Sequence, residues 1–152
     1  PIDETRITTG EIKPVDGTPY DFTTPKPIRT NMDALPLLGE DDPGGYDHNY
    51  VIRDADGTVK PAAQIYSPQS GLTMYVRTNQ PGIQFYTGNF LDGSIIGKAG
   101  VPYGKHHALC LETQKFPDAI NKQGVEGWPS VILRPGEPYY HEVQYAFSCD
   151  KK

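Results

Sequence analysis

Three observations predict an all-β fold: apolar residues alternate with a period of two, Gly and Pro punctuate the chain at short intervals, and no long stretch keeps helical spacing. Sixteen Gly and fifteen Pro make up about a fifth of the 152 residues without any repeat period, as expected for short elements joined by turns rather than for collagen or a helical bundle. Hydrophobic residues are 36% and charged residues 22%, the balance of a folded domain and not of an acidic disordered tail.

The alternation is plainest at Leu72-Thr73-Met74-Tyr75-Val76-Arg77-Thr78. Leu72, Met74 and Val76 share one face there, and Thr73, Tyr75 and Arg77 share the other. The same reading predicts strands at residues 49–53, 62–66, 83–87, 108–114, 130–133 and 142–147. Asp56-Gly57 is expected to close one hairpin, and Ser67-Pro68-Gln69-Ser70-Gly71 another. Asn79-Gln80-Pro81-Gly82 reads as a turn with Pro at its second corner and a Gly suited to positive φ. Residues 117–122 have helical character but are too short for more than one turn. Residues 14–45 carry six prolines and little periodicity, an irregular surface wrap, and residues 88–107 form a second, Gly-rich connection. No internal repeat or linker divides the chain.

Fourteen Lys and Arg against nineteen Asp and Glu give a formal net charge of −5 and an isoelectric point near 5.3, which disfavours a nucleic-acid binder. No run approaches the roughly 20 apolar residues of a membrane span, and the chain opens on a polar segment, so no membrane association is expected. Its first residue is Pro, which leaves an upstream segment open. Cys110 and Cys149 are too few for a disulfide scaffold and are not spaced as zinc ligands; one disulfide is compatible with them but not required. With no Asn-x-Ser/Thr acceptor, a cytoplasmic location is expected.

Three segments hold residues suited to chemistry. Glu112 sits in the otherwise apolar run Leu109-Cys110-Leu111-Glu112-Thr113-Gln114, opposite Leu109 and Leu111. A carboxylate buried on a strand lining a cavity has a raised pKa and serves as a general base near neutrality; one paired with an Arg, or exposed at an edge, has no such role. Gly44-Gly45-Tyr46-Asp47-His48-Asn49-Tyr50 groups an acid, an imidazole, an amide and two aromatics directly before a strand, which suits a polyhydroxylated ligand and equally suits a plain turn. Gln84 and Tyr86 share a strand face opposite Phe85, either to grip hydroxyls or as a polar outer face. His48, His106, His107 and His141 form no metal-ligand pair, so no metal is expected. Nucleophile-elbow, phosphate-loop and dinucleotide motifs are absent.

In order along the chain, five segments resemble the galactose mutarotase (aldose 1-epimerase) family. They are Thr9-Gly10-Glu11-Ile12, Gly45-Tyr46-Asp47-His48-Asn49-Tyr50, Pro81 through Phe90, Cys110-Leu111-Glu112-Thr113-Gln114 with Phe116-Pro117-Asp118-Ala119, and Leu133-Arg134-Pro135-Gly136-Glu137. The resemblance spans essentially the whole chain but only about the C-terminal half of the family's domain. It implies an antiparallel β-supersandwich and cofactor-independent interconversion of the α and β anomers of free aldohexoses such as galactose and glucose. It also implies Glu112 as the catalytic base and Asp47 and Gln84 as binders of sugar hydroxyls. The family's acid is a histidine in an Asn-His-x-Tyr-Phe-Asn-type motif, for which this chain has no counterpart. The partner expected is therefore an N-terminal half, as a second chain or an upstream segment, that supplies the acid. A non-catalytic sugar-binding or structural subunit is the alternative. A relative acting on hexose 6-phosphates would need clustered Arg or Lys, which the segments around Asp47, Gln84 and Glu112 lack.

Overall fold

The structure, a computed structural model, describes residues 1–151. Among these, six strands are formed: β1 (Asp47–Val51), β2 (Lys60–Ser67), β3 (Leu72–Thr78), β4 (Gly82–Tyr86), β5 (Cys110–Gln114) and β6 (Val143–Cys149). They make two three-stranded sheets, ordered β1-β4-β5 and β2-β3-β6. Short 3-10 turns occur at Ile28–Ala34, Lys98–Gly100 and Ala119–Lys122, and no described helix is long and apolar enough to cross a membrane. The all-β expectation is met.

The chain divides into two compact units, one of Pro1–His48 with Gln84–Cys110, the other of Asn49–Ile83 with Leu111–Lys152. In the second unit β2 and β3 form the expected hairpin across residues 68–71, with Ser67 opposite Leu72, Gly71 N–H donating to Ser67 O at 2.8 Å, and a bulge between Pro61 and Ala63. β6 continues the sheet antiparallel on β3, from Thr78 opposite Val143 to Leu72 opposite Cys149. The period of two holds over the second half of β3, where Val76 and Thr78 are buried while Tyr75 and Arg77 are exposed; Leu72, on the Val76 face near the hairpin end, is exposed. Val76 packs with Ile52 and Ile83 in a small core, joined by Tyr50, Ala62, Ala63, Met74 and Leu111. Burying a side chain of this size stabilises by about 1.5–3 kcal/mol. The start of β6 is tied down by polar groups, with Thr78 Oγ1 donating to Glu142 O at 2.7 Å and Glu142 N–H donating to Asn79 Oδ1 at 2.9 Å.

The first unit relies on aromatic packing instead. Tyr46 is fully buried and stacks on Phe85 at 5.2 Å between centroids, while Phe22 meets Tyr46 at 5.2 Å and Phe85 at 5.7 Å edge-on. Phe22 belongs to the proline-rich wrap, so that segment is part of the core. Met32 and Leu35, in and just after the 3-10 turn at Ile28–Ala34, are buried as well. That turn is absent from the period-two reading, because seven residues of 3-10 spacing leave no sustained pattern.

Other expectations need correction. Residues 130–133 form no strand: Val131, Ile132 and Leu133 are all exposed, and the flanking Pro129 and Pro135 have no N–H to offer a ladder. Asp56-Gly57 makes a turn, with Thr58 N–H donating to Asp56 Oδ1 at 2.9 Å, but β1 and β2 enter different sheets and so form no hairpin. β1 begins at Asp47, so Asp47 and His48 lie on the strand itself, and β5 begins only at Cys110. Gly82 has no positive φ; it is required because a Cβ there would lie 2.8 Å from Asn49 Oδ1 and 2.9 Å from Phe116 Cδ1.

Gly82→Ala should therefore lower stability by about 1–3 kcal/mol through overpacking. Gly39→Ala, with open space around it and no positive φ, should leave it within about 0.5 kcal/mol. Urea midpoints for the two variants would distinguish steric exclusion from a general loss of chain flexibility.

Candidate functional site

A latch around Tyr46 sets the geometry of the first unit's candidate site. Tyr46 N–H donates to Thr87 Oγ1 at 2.9 Å, while Tyr46 O accepts from Thr87 N–H at 3.1 Å and from Asn89 Nδ2 at 2.9 Å. Thr87 Oγ1 is also 2.6 Å from Asn89 Oδ1, and the Tyr46 hydroxyl donates to Pro19 O at 2.9 Å. Gly45 precedes the latch at φ +93°, with Asn89 Oδ1 only 2.3 Å from where a Cβ would stand. Only glycine fits there, which gives a structural reason for the second Gly of the Gly-Gly-Tyr-Asp segment.

The next residue along is Asp47. Gln84 Nε2 donates to Asp47 Oδ1 at 2.8 Å, so two of the three sequence-predicted site residues are joined directly. Both side chains are half-buried. Gln84 Oε1 is fully shielded and has no hydrogen-bond partner among the described residues. A buried unpaired acceptor of this kind costs about 1–3 kcal/mol. Phe85 faces the aromatic core, consistent with Gln84 and Tyr86 on the opposite side of the strand; the Tyr86 oxygen accepts from Phe90 N–H at 3.0 Å.

His48 lies beside this pair. Asp47 N–H donates to His48 Nδ1 at 3.1 Å, and the Tyr20 ring packs on the imidazole at 4.7 Å between centroids. Burial lowers the His48 pKa from its ordinary 6.5 to about 4; Asp47 and Asp42 oppose the shift and the chain's amino terminus adds to it. The ring is neutral at physiological pH.

Glu112 belongs to the second unit, on β5, and is exposed, as is Cys110 on the same face, while Leu111 is half-buried on the other. Of the readings the sequence leaves open for Glu112, the structure shows the exposed one: none of the described second-unit residues covers that face of β5. Thr113, its neighbour, is 3.0 Å through Oγ1 from His141 Nε2. Asp118, next to the Phe116-Pro117 motif, is a turn residue at φ +61° whose carboxylate accepts from Lys122 Nζ at 3.0 Å. Cys110 and Cys149 are both thiols at the surface, joined by no disulfide.

A surface cleft of about 480 Å³ in the first unit is lined by Arg29, Met32, Thr87, His106 and Leu109, among others, and contains none of Asp47, Gln84 or Glu112. Two features escaped the sequence reading: the packing of Tyr20 on His48, and the Thr87–Asn89 latch. Both join segments more than 25 residues apart, which no local pattern reports. Thr87-Gly88-Asn89 did stand within a singled-out segment, but its role is to hold Tyr46.

Fold and site together describe an antiparallel β protein that carries a paired carboxylate and amide. Residues 1–146 match the family model described as aldose 1-epimerase. The chain is 42% identical to galactose mutarotase of Rattus norvegicus and 43% identical to that of Homo sapiens, in each case over 97% of this chain and 40% of the relative. It is 36% identical to aldose 1-epimerase of Escherichia coli over 99% of this chain and 42% of the relative. The crystal structure of a GalM/aldose epimerase homologue from C. elegans superposes with a TM-score of 0.79 at 32% identity, covering 98% of this chain and 42% of that one. The chain belongs to the aldose 1-epimerase family. It spans about two fifths of the length of the curated relatives it matches.

The shifted His48 predicts a pH effect on stability. Its folded pKa lies below the unfolded one, so the neutral ring's contribution is complete above pH 6.5 and falls as the pH drops toward 4. Unfolding free energies across that window should fall by up to about 3 kcal/mol more for the natural protein than for His48→Asn, which has nothing to titrate there. Parallel curves would show that His48 is not held neutral.

Proposed function

We propose that this chain is the base-bearing and sugar-gripping part of an aldose 1-epimerase that interconverts the α and β anomers of free aldohexoses such as galactose and glucose, without a cofactor. The observation that carries this reading is the 42–43% identity to galactose mutarotases across 97% of the chain, together with the Asp47–Gln84 pair. Asp47 accepts from sugar hydroxyls, and Gln84, whose Nε2 spends one hydrogen on Asp47, donates its second to another. Glu112 removes the proton from the C1 hydroxyl as the C1–O5 bond breaks, and an acid protonates O5. Rotation about C1–C2 turns the other face of the aldehyde toward O5. The ring closes with the roles reversed, so no atom or proton is gained or lost overall.

The acid comes from an upstream part of the protein, either in the same polypeptide or as a second chain. Two observations support this: the relatives are about two and a half times as long, and β6 is exposed at every position. β6 is an edge of its sheet, with Tyr145 and Phe147 51% and 67% exposed on one face. An open strand edge with an apolar row is a surface that folded proteins normally cover. The exposure of Glu112 fits the same picture, since a base awaiting its other wall is open on that side. We place the complete protein in the cytoplasm, in keeping with its two surface thiols.

Polarimetry of freshly dissolved α-D-galactose tests the reading. Material carrying the upstream part should speed the approach to anomeric equilibrium, Glu112→Gln should slow that by at least about 100-fold, and Asp47→Asn should raise KM. Full turnover in the Glu112→Gln variant would remove Glu112 as the base. Folded, complete material that binds galactose without speeding equilibration would favour the binding-subunit alternative.

A further inference from the structure

The Asp47 carboxylate is useful only if it is held in one orientation, and the structure shows how that is done. Side-chain freedom at an Asp is removed on the Oδ1 side by Gln84 Nε2 at 2.8 Å. The main chain is fixed on one side by the Tyr46 latch and on the other by an unusual contact: Asp47 N–H donates to the ring nitrogen of the very next residue, His48 Nδ1, at 3.1 Å. β1 is an edge strand whose ladder bonds run through Tyr46 and Ile52, so the Asp47 N–H points away from the neighbouring strand. The imidazole gives that edge N–H a partner.

We propose that His48 is a positioning residue for Asp47: its Nδ1 accepts the Asp47 N–H, and the Tyr20 ring clamps the imidazole so that the carboxylate stays on Gln84. This inference rests on the sugar-binding role given to Asp47 above and adds a residue to it. Three features support it. An Nδ1 that accepts must be unprotonated, which places the ring's single proton on Nε2 and requires a neutral imidazole. Burial supplies that neutrality and the amino terminus adds to it, while the carboxylates Asp47 and Asp42 oppose it without reversing it. Rotation of the ring is limited by Tyr20, at 4.7 Å and 64°, and Tyr20 is itself brought there by the Tyr46 hydroxyl's bond to Pro19 O, the residue before it.

Two variants separate the acceptor from the packing. His48→Phe keeps a ring against Tyr20 and loses the acceptor, whereas His48→Asn keeps an acceptor oxygen close to the position of Nδ1 and loses the ring. Nitrogen-15 spectra of this chain at pH 7 should show the His48 ring with its proton on Nε2. Exchange protection of the Gln84 side-chain amide, which reports its bond to Asp47, should fall at least about 5-fold in His48→Phe and recover in His48→Asn. An Nδ1-protonated or charged ring, or equal protection in all three proteins, would overturn the proposal.

In complete material with mutarotase turnover, His48→Phe should raise KM several-fold with kcat nearly unchanged. The two readings fail differently. If Asp47→Asn leaves KM and kcat untouched, the sugar-binding role of Asp47 falls; if Asp47→Asn raises KM and His48→Phe does not, only the positioning role of His48 falls.

Discussion

The first unit depends on how one main-chain position, Tyr46, is held. Its amide and carbonyl are gripped by Thr87 and Asn89, its hydroxyl by Pro19 O, and its ring by Phe22 and Phe85. A buried phenol and a buried peptide unit are costly unless every polar atom is paired, and here each finds a partner. The consequence is directional. With Tyr46 immobile, the next residue on an extended strand must present its side chain to the opposite face, and that residue is Asp47. The wrap from Pro14 onward serves the same end, for its aromatic residues Tyr20 and Phe22 close over the start of β1.

This constraint accounts for the uneven way the sequence reports the site. The identities of Asp47 and Gln84 were legible, since a carboxylate or amide in a strand-like segment is a local signal, and the alternation Gln84-Phe85-Tyr86 correctly separates the core-facing ring from its neighbours. Their contact was not legible, because they are 37 positions apart and pairing across strands has no local signature. The start of β1 was misplaced for a related reason. Gly44-Gly45 and Asp47 read as turn chemistry, whereas tertiary bonds from Thr87 extend the strand two residues into that segment.

Glu112 shows the limit from the other side. Its placement in an apolar run is compatible with burial or with exposure at an edge, because Leu109 and Leu111 bury only one face of the run and the alternate face takes its surroundings from whatever packs on it. The chain covers two fifths of its relatives' length, and in the reading we propose the upstream part packs on that face. Residues 130–133 and β6 likewise expose apolar side chains, which in the reading we propose the upstream part covers. Hydrophobic pattern states that a face is to be covered. It does not state by what.

The separation of roles that follows has a chemical logic. Ring opening needs a base and an acid on opposite sides of the C1–O5 bond, and their protonation states must differ at one pH. Placing them on distant parts of the polypeptide lets each take its pKa from its own surroundings, and folding then fixes the distance between them. A carboxylate left open on β5 is a suitable base only once it is enclosed, because water competes for its lone pairs and screens its charge until then. The Asp47–Gln84 pair does not have that dependence: Tyr46, Thr87 and Asn89 hold the main chain beside Asp47, and Gln84 holds its carboxylate, all within one unit. In the function we propose, hydroxyl recognition is therefore set within this chain, whereas proton transfer waits on the acid.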